Sequence, residues 1–197
     1  MAARIAAAGG RAEAVPTDVT EPAQVENLAA RTIAFTGSLD ILVNAAGVFK
    51  LAPFESTSLE LFDATLAVNL RGAFLCCQAA WPLMRTRGGG QIVNISSAAG
   101  LRAYEGNAAY SASKFGLNGL SAVLALEGRP HNIRVLAVCP AATDTAVWDG
   151  QAPDEVRRRM MPAEAVAGVI VDLLAAPRAL AFEPVLIGNF QDPWRPA

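Results

Sequence analysis

Tyr110 and Lys114 stand four residues apart in Tyr110-Ser111-Ala112-Ser113-Lys114. On a helix that spacing puts a phenol and an ammonium on one face. A free phenol titrates near ~10, too high for base chemistry at neutral pH. A neighbouring ammonium favours the phenolate and lowers that value, so the pair can exchange a proton with an alcohol or carbonyl oxygen. The spacing also occurs on ordinary helix surfaces, and context gives it weight. Ser97 precedes Tyr110 at the end of the apolar run Ile92–Ile95, where its hydroxyl can bond the same oxygen; Ser96 is the competing choice. Asn69 sits in Val68-Asn69-Leu70, inside a long helical pattern where asparagine is disfavoured. Its plainer account is a buried amide bonded to backbone.

The elements that must position these groups alternate. The first ten residues are Ala-rich, end in Gly9-Gly10 and read as a piece of helix. Glu13 to Val15 reads as a short strand closed by Pro16. Thr20 is a candidate helix cap with Pro22 in the first turn, and Val25, Leu28, Ala29, Thr32 and Ile33 recur at helical spacing up to Gly37. Leu39 to Val43 is an apolar strand that runs into Asn44-Ala45-Ala46-Gly47. Thr57 and Glu60 form a capping box that opens a helix to about Met84, kinked near Pro82. Gly88-Gly89-Gly90 turns the chain into a strand over Gln91 to Ile95. A helix from about Asn107 to Glu127, a strand over Ile133 to Cys139, a variable loop, a helix near Ala163 to Ala175 and a strand at Pro184 to Ile187 complete the series. Apolar strands alternating with helices imply an α/β fold with a parallel sheet covered on both faces. Ligands of such sheets bind beyond the carboxyl ends of the strands. Thr17-Asp18, Asn44 to Gly47, Ser96-Ser97 and Pro140 to Thr145 are therefore expected on one edge.

Composition narrows the classes. The 197 residues are 53% hydrophobic and 17% charged, a globular balance, and the net charge of −2 gives no bulk attraction to nucleic acid or an anionic membrane. Cys76, Cys77 and Cys139 lie in apolar runs without metal-type spacing, so buried free thiols in a reducing, cytoplasmic setting are expected, with no metal site. No apolar run reaches the ~18 residues of a membrane span. His131, the one histidine, reads as a loop residue, which argues against a His-based triad. Arg157-Arg158-Arg159 reads as a solvated helix face, and Trp194 as a residue at a subunit interface. Leu117, Leu120 and Leu124 fit either a helix-pairing face or the core.

Taken together, Asn44-Ala45-Ala46-Gly47, Val68-Asn69-Leu70, Ile92 to Ser97, Tyr110 to Lys114 and Pro140 to Thr145 make the chain resemble the short-chain dehydrogenases/reductases over nearly its whole length. The resemblance implies an NAD- or NADP-dependent oxidoreductase acting on a small carbonyl or alcohol substrate. Residues 1–197 would form a single Rossmann-like domain with a doubly wound parallel sheet. Tyr110 would be the general acid/base. Lys114 would lower its pKa and bond the nicotinamide ribose, Ser97 would orient the substrate oxygen, and Asn69 would anchor a water-linked proton relay. Asp18 resembles the acid that bonds the adenine amine, with Val19 beside the ring. Asn44, Ala45 and Gly47 would line the cofactor groove. Pro140 to Thr145 would close over the nicotinamide, with Thr145 near its carboxamide or the phosphates. Tyr104 and Glu105 would stand at the wall of the substrate cleft and Trp148 in its lid. The complete protein would be a homodimer or homotetramer, without nucleic-acid or membrane partners.

Two departures from the family pattern stand out. Pro140-Ala141 replaces a usual Pro-Gly, which alanine tolerates where φ is negative. More importantly, these 197 residues contain no T-G-x-x-x-G-x-G turn, the feature that holds the pyrophosphate at a helix N-terminus. Gly88-Gly89-Gly90 follows a helix and precedes a strand, the reverse order. The expectation is an incomplete domain missing the first two strands and the Gly-rich loop, as in a truncated gene model or fragment. The choice between NAD and NADP rests on the same region. The alternative reading is a non-catalytic fragment or dimerising subunit that cannot hold cofactor; an isomerase, dehydratase or epimerase on this scaffold is a third.

Overall fold

The computed structural model describes residues 2–194. In chain order its elements are α1 (Ala2–Ala7), α2 (Pro22–Thr36), β1 (Ile41–Asn44), α3 (Leu59–Leu66), a π-helical segment (Ala67–Gly72), α4 (Ala73–Arg87) and β2 (Gly90–Ile95). There follow α5 (Ala108–Gly128), β3 (Ile133–Pro140), β4 (Thr143–Asp144), α6 (Asp154–Arg157), β5 (Met161–Pro162), α7 (Ala163–Ala175) and β6 (Val185–Ile187). Four strands form one parallel sheet in the order β1-β2-β3-β6, and β4 pairs with β5 beside it.

Strand alternation divides the core. Ile92 of β2 and Ile133 and Val135 of β3 face Cys77, Ala80 and Met84 of α4. Val93, Leu136 and Val138 face the other way, against Ile170, Leu173 and Leu174 of α7. A strand with both faces covered is mostly apolar, as β2 and β3 are apart from Gln91, Asn94 and Arg134, each of which has hydrogen-bond partners. β1 keeps only half of that cover. Leu42 packs on the first cluster, while Ile41 and Val43 remain 43% and 46% exposed.

Several boundaries differ from the sequence expectation. Glu13 to Val15 is not a strand but extended chain, because no sheet strand lies beside it to complete a ladder; Glu13 instead pairs with Arg31. Thr20 does not cap α2. Glu21 holds the cap position without a side-chain bond, and Thr20 turns back to Asp18. The cap of α3 is Ser58, whose Oγ accepts from Leu61 N–H at 3.2 Å, whereas Thr57 donates to the Pro53 carbonyl. The helix expected from Thr57 to Met84 breaks its regular ladder at Ala67–Gly72, around Asn69, rather than at Pro82. Gly37 (φ 80°) and Gly88 (φ 89°) close α2 and α4 in the left-handed region, as the sequence indicates. Leu117 is buried and Leu124 packs on the first cluster, so the core takes both. No described helix is long and apolar enough to cross a membrane, and the three cysteines are buried and free.

Candidate active site

β2 ends at Ile95 and delivers two serines in opposite directions. Ser96 turns inward: its N–H bonds Val138 O on β3 at 2.7 Å, and its hydroxyl donates to Lys114 O on α5 at 3.2 Å. It ties the strand to the helix and is buried. Ser97 caps the short turn Ala98–Gly100, its Oγ accepting from Ala99 N–H at 3.1 Å, and its hydroxyl neighbours the Tyr110 phenol, whose pKa it pulls downward. Of the two serines, Ser97 is the one placed at the phenol.

Tyr110 lies in the first turn of α5 and Lys114 one turn later. The Lys114 ammonium stands 5.6 Å from the Tyr110 ring centroid and donates to Ile95 O at 2.8 Å. Lys114 is 4% exposed. Burial pulls its pKa down to about 8, opposed weakly by the neighbouring Cys139. Burial pushes the Tyr110 phenol above its ordinary value, and the Ser97 hydrogen bond only partly offsets that. Burial thus sets the direction of the phenol's shift in this structure. The ammonium sits against the ring and carbonyl Ile95 rather than at the phenolic oxygen, so desolvation dominates.

Asn69 occupies the π-helical segment and is 1% exposed. Its Oδ1 accepts from Val48 N–H at 2.8 Å; its Nδ2 donates to Val48 O at 2.9 Å and to Ser113 Oγ at 3.1 Å. Ser113 in turn donates to Tyr110 O at 2.7 Å. The amide thus couples the loop after β1 to the helix that carries Tyr110 and Lys114. Local rewinding of this kind commonly marks functional sites. Ser113 escaped the sequence reading, although it lies one turn beyond Tyr110 on the same helix. Also missed is a buried polar group in the sheet: Asn94 accepts from Asn44 Nδ2 at 2.8 Å and donates to Ser121 Oγ at 2.8 Å. An asparagine inside the apolar run Ile92–Ile95 was the available signal. The same bond corrects one expectation, because the Asn44 side chain turns into the protein beside Cys77 instead of lining a groove.

The remaining sequence candidates converge less tightly. Ala45 and Gly47 are exposed on the loop after β1. A Cβ on Gly47 would stand 3.4 Å from Asn69 Oδ1 and 3.8 Å from Lys114 Nζ, so glycine leaves a gap beside the ammonium. Asp18 accepts from both Thr20 N–H and Thr20 Oγ, which holds its carboxyl below the usual range. Val19 packs on Gly72, where a Cβ would come within 2.7 Å of Val19 Cγ2, and Arg71 donates to Thr20 O at 2.8 Å. Residues 17–20 are therefore docked beside the π-helical segment without a strand before them. Pro140 ends β3. Ala141 avoids the left-handed region, since Asn132 is the non-glycine with positive φ among the described residues. Thr145 is exposed, and its carbonyl accepts from Arg157. Arg157 is not a free solvated residue: it pairs with Asp144 and Asp149 at 2.7 Å each and clasps the loop after β3. Trp194 packs within its own chain, 5.7 Å from Trp148.

These groups suit one end of a nicotinamide dinucleotide. Lys114 has three N–H donors, of which Ile95 O takes one, and the Gly47 gap opens beside the others. For the pyrophosphate end, no Gly-rich strand-to-helix turn exists in these 197 residues.

A family profile described as short chain dehydrogenase matches residues 1–156. D-threitol dehydrogenase of Mycolicibacterium smegmatis is 41% identical over 162 residues, which cover 80% of this chain and 62% of that protein. An uncharacterised oxidoreductase of Bacillus subtilis is 37% identical over 185 residues, covering 93% of this chain and 72% of the other. The crystal structure of levodione reductase superposes with a TM-score of 0.85 at 30% identity, over 92% of this chain and 77% of that one. The chain thus spans 62% of the length of the threitol enzyme.

Proposed function

The chain belongs to the short-chain dehydrogenases, a family of oxidoreductase enzymes, and on that premise we propose that it carries the catalytic groups for hydride exchange between a nicotinamide and a carbonyl or alcohol carbon. The supporting observation is the gathering of Ser97, Tyr110, Lys114 and Asn69: Lys114 and Asn69 are buried, Lys114 bonds Ile95 O, Asn69 bonds Val48 and Ser113, Ser113 bonds Tyr110 O, and Ser97 neighbours the phenol. When bound, NAD or NADP supplies or accepts the hydride. Ser97 orients the substrate oxygen. In reduction the Tyr110 hydroxyl gives its proton to that oxygen; in oxidation the phenolate takes it back. Lys114 stabilises the phenolate by charge and offers its free N–H groups to the ribose, while Asn69 and Ser113 hold the loop and helix in register. Ala45, Gly47, Pro140 and Thr145 border the nicotinamide side, and Asp18 and Val19 the adenine side; Asn44 contributes backbone only.

Residues 1–197 are read as one incomplete Rossmann-like domain of a cytoplasmic protein, a setting that suits three reduced buried thiols. Exposed Phe74 of α4 and Phe115, Val123 and Leu126 of α5 suit a homodimer or homotetramer. The open edge of β1 and the lack of a phosphate turn favour a second reading, in which these residues alone do not hold cofactor.

Titration of the folded chain with NADH and NADPH, followed by ketone-dependent oxidation of the dinucleotide, separates the two. Saturable binding is expected, with Tyr110→Phe lowering turnover roughly 10²–10⁴-fold at unchanged dinucleotide affinity. A folded chain that binds neither dinucleotide overturns the first reading for these residues.

A further inference from the structure

A series of aromatic rings begins at the proposed acid/base. Phe49, on the loop after β1, meets Tyr110 edge-on at 4.8 Å between centroids. Trp148, in the turn Ala146–Trp148 after β4, meets Phe49 edge-on at 5.0 Å. Trp194 stands behind Trp148 at 5.7 Å and is held there by its own segment, where Arg159 donates to Pro193 O at 2.8 Å. The wall is pinned across the chain: Gln151, three residues beyond Trp148, accepts from Leu51 N–H at 3.0 Å.

An open cleft of about 680 Å³, within the size range of small-molecule sites, is lined by residues 51–54 and 104–108, and the Leu51–Gln151 bond ties its rim to the segment that follows Trp148. Its lining starts at Leu51, two residues past Phe49, and ends at Ala108, two residues before Tyr110. Leu51, Pro53, Phe54 and Tyr104 give it apolar surface, and Phe54 is 85% exposed. The charges nearby do not suit an anion. Arg157 is committed to Asp144 and Asp149, and Glu105 is the one charged residue of the cleft lining. Polyols, for their part, need several directional polar partners that aromatic walls lack.

Resting on the oxidoreductase reading above, we infer that the substrate is a neutral ketone or secondary alcohol bearing an apolar ring, with Phe49 and Trp148 holding the ring while its oxygen meets Ser97 and Tyr110. Trp194 is a positioning residue that acts through Trp148.

Ligand-observed saturation-transfer NMR on the folded chain without dinucleotide tests this with three probes: 4-methylcyclohexanone, dihydroxyacetone and acetoacetate. The cyclic ketone should bind at least about tenfold more tightly than either other probe, as expected for burial of one additional apolar ring face. Trp148→Ala should erase that preference and Trp148→Phe should retain most of it. The phenylalanine variant, together with Phe49→Leu, decides the matter if the alanine variant does not fold. Equal binding of the three probes, tighter binding of dihydroxyacetone or acetoacetate, no saturable binding of any, or a preference untouched at Trp148 and Phe49 overturns the inference. This readout does not depend on hydride transfer, so a chain that shows the preference here but no turnover in the separate assay with NADH or NADPH would strike the oxidoreductase reading instead.

Discussion

β1 and β2 are written in nearly the same residues. Leu42-Val43-Asn44 pairs in register with Ile92-Val93-Asn94, yet their surroundings differ. Ile92 and Val93 are fully buried between α4 and α7, while Val43 and Ile41 look out from the sheet's edge. The proposed chemistry follows the same divide. Lys114 hangs from Ile95 and Ser96 is stitched to β3, all within a framework packed on both faces. The loop after β1 is held through the two bonds between Asn69 and Val48. Precision at this site therefore comes from the number of neighbours a strand has, not from the strand's own composition.

The widest expected contrast is in the core. Leu136→Ala should cost about 2–5 kcal/mol in urea denaturation, whereas Ile41→Ala should stay within about 0.5 kcal/mol; similar losses at both would break the comparison. Lys114 sharpens it through pH. Its folded-state pKa of about 8 lies below the ordinary lysine value of 10.5. Below pH 8 both states are protonated and the folded state carries the full burial cost. Between 8 and 10.5 the unfolded chain binds the extra proton, so stability rises with pH. The advantage of Lys114→Met over the parent should accordingly shrink across that window, by on the order of 3 kcal/mol. A difference that stays flat from pH 8 to 10.5 would show that Lys114 is not desolvated. The smallest effect belongs to the loop clamp. Asn69→Ala frees the N–H and C=O of exposed Val48 to bond water, for about 0.5–1.5 kcal/mol, and should speed hydrogen exchange at the Val48 amide; unchanged exchange there would remove the clamp from the account.

Much of this was legible along the chain. The bounds of α7 and the end of α2 at Gly37 follow from periodicity and a glycine stop, because both signals are local. Errors arose where partners lie far away in sequence. Glu13 to Val15 carries strand-like residues but has no strand beside it, and Asn44 turns inward because Asn94, fifty residues later, waits to accept its amide. The break in the long helix fell around Asn69 and not at Pro82, in the segment from which the Asn69 side chain reaches Val48 and Ser113.

By itself the sequence determined the alternation of strands and helices and singled out Tyr110, Lys114, Asn69 and the pair Ser96-Ser97 as candidates, since hydrophobic period and residue spacing are properties of the chain. Only the tertiary structure decided which of two similar strands would be buried and which serine would reach the phenol. It also decided that burial raises the phenol's pKa. Those outcomes depend on solvent exclusion by distant segments, and no local pattern encodes how much water a group will lose.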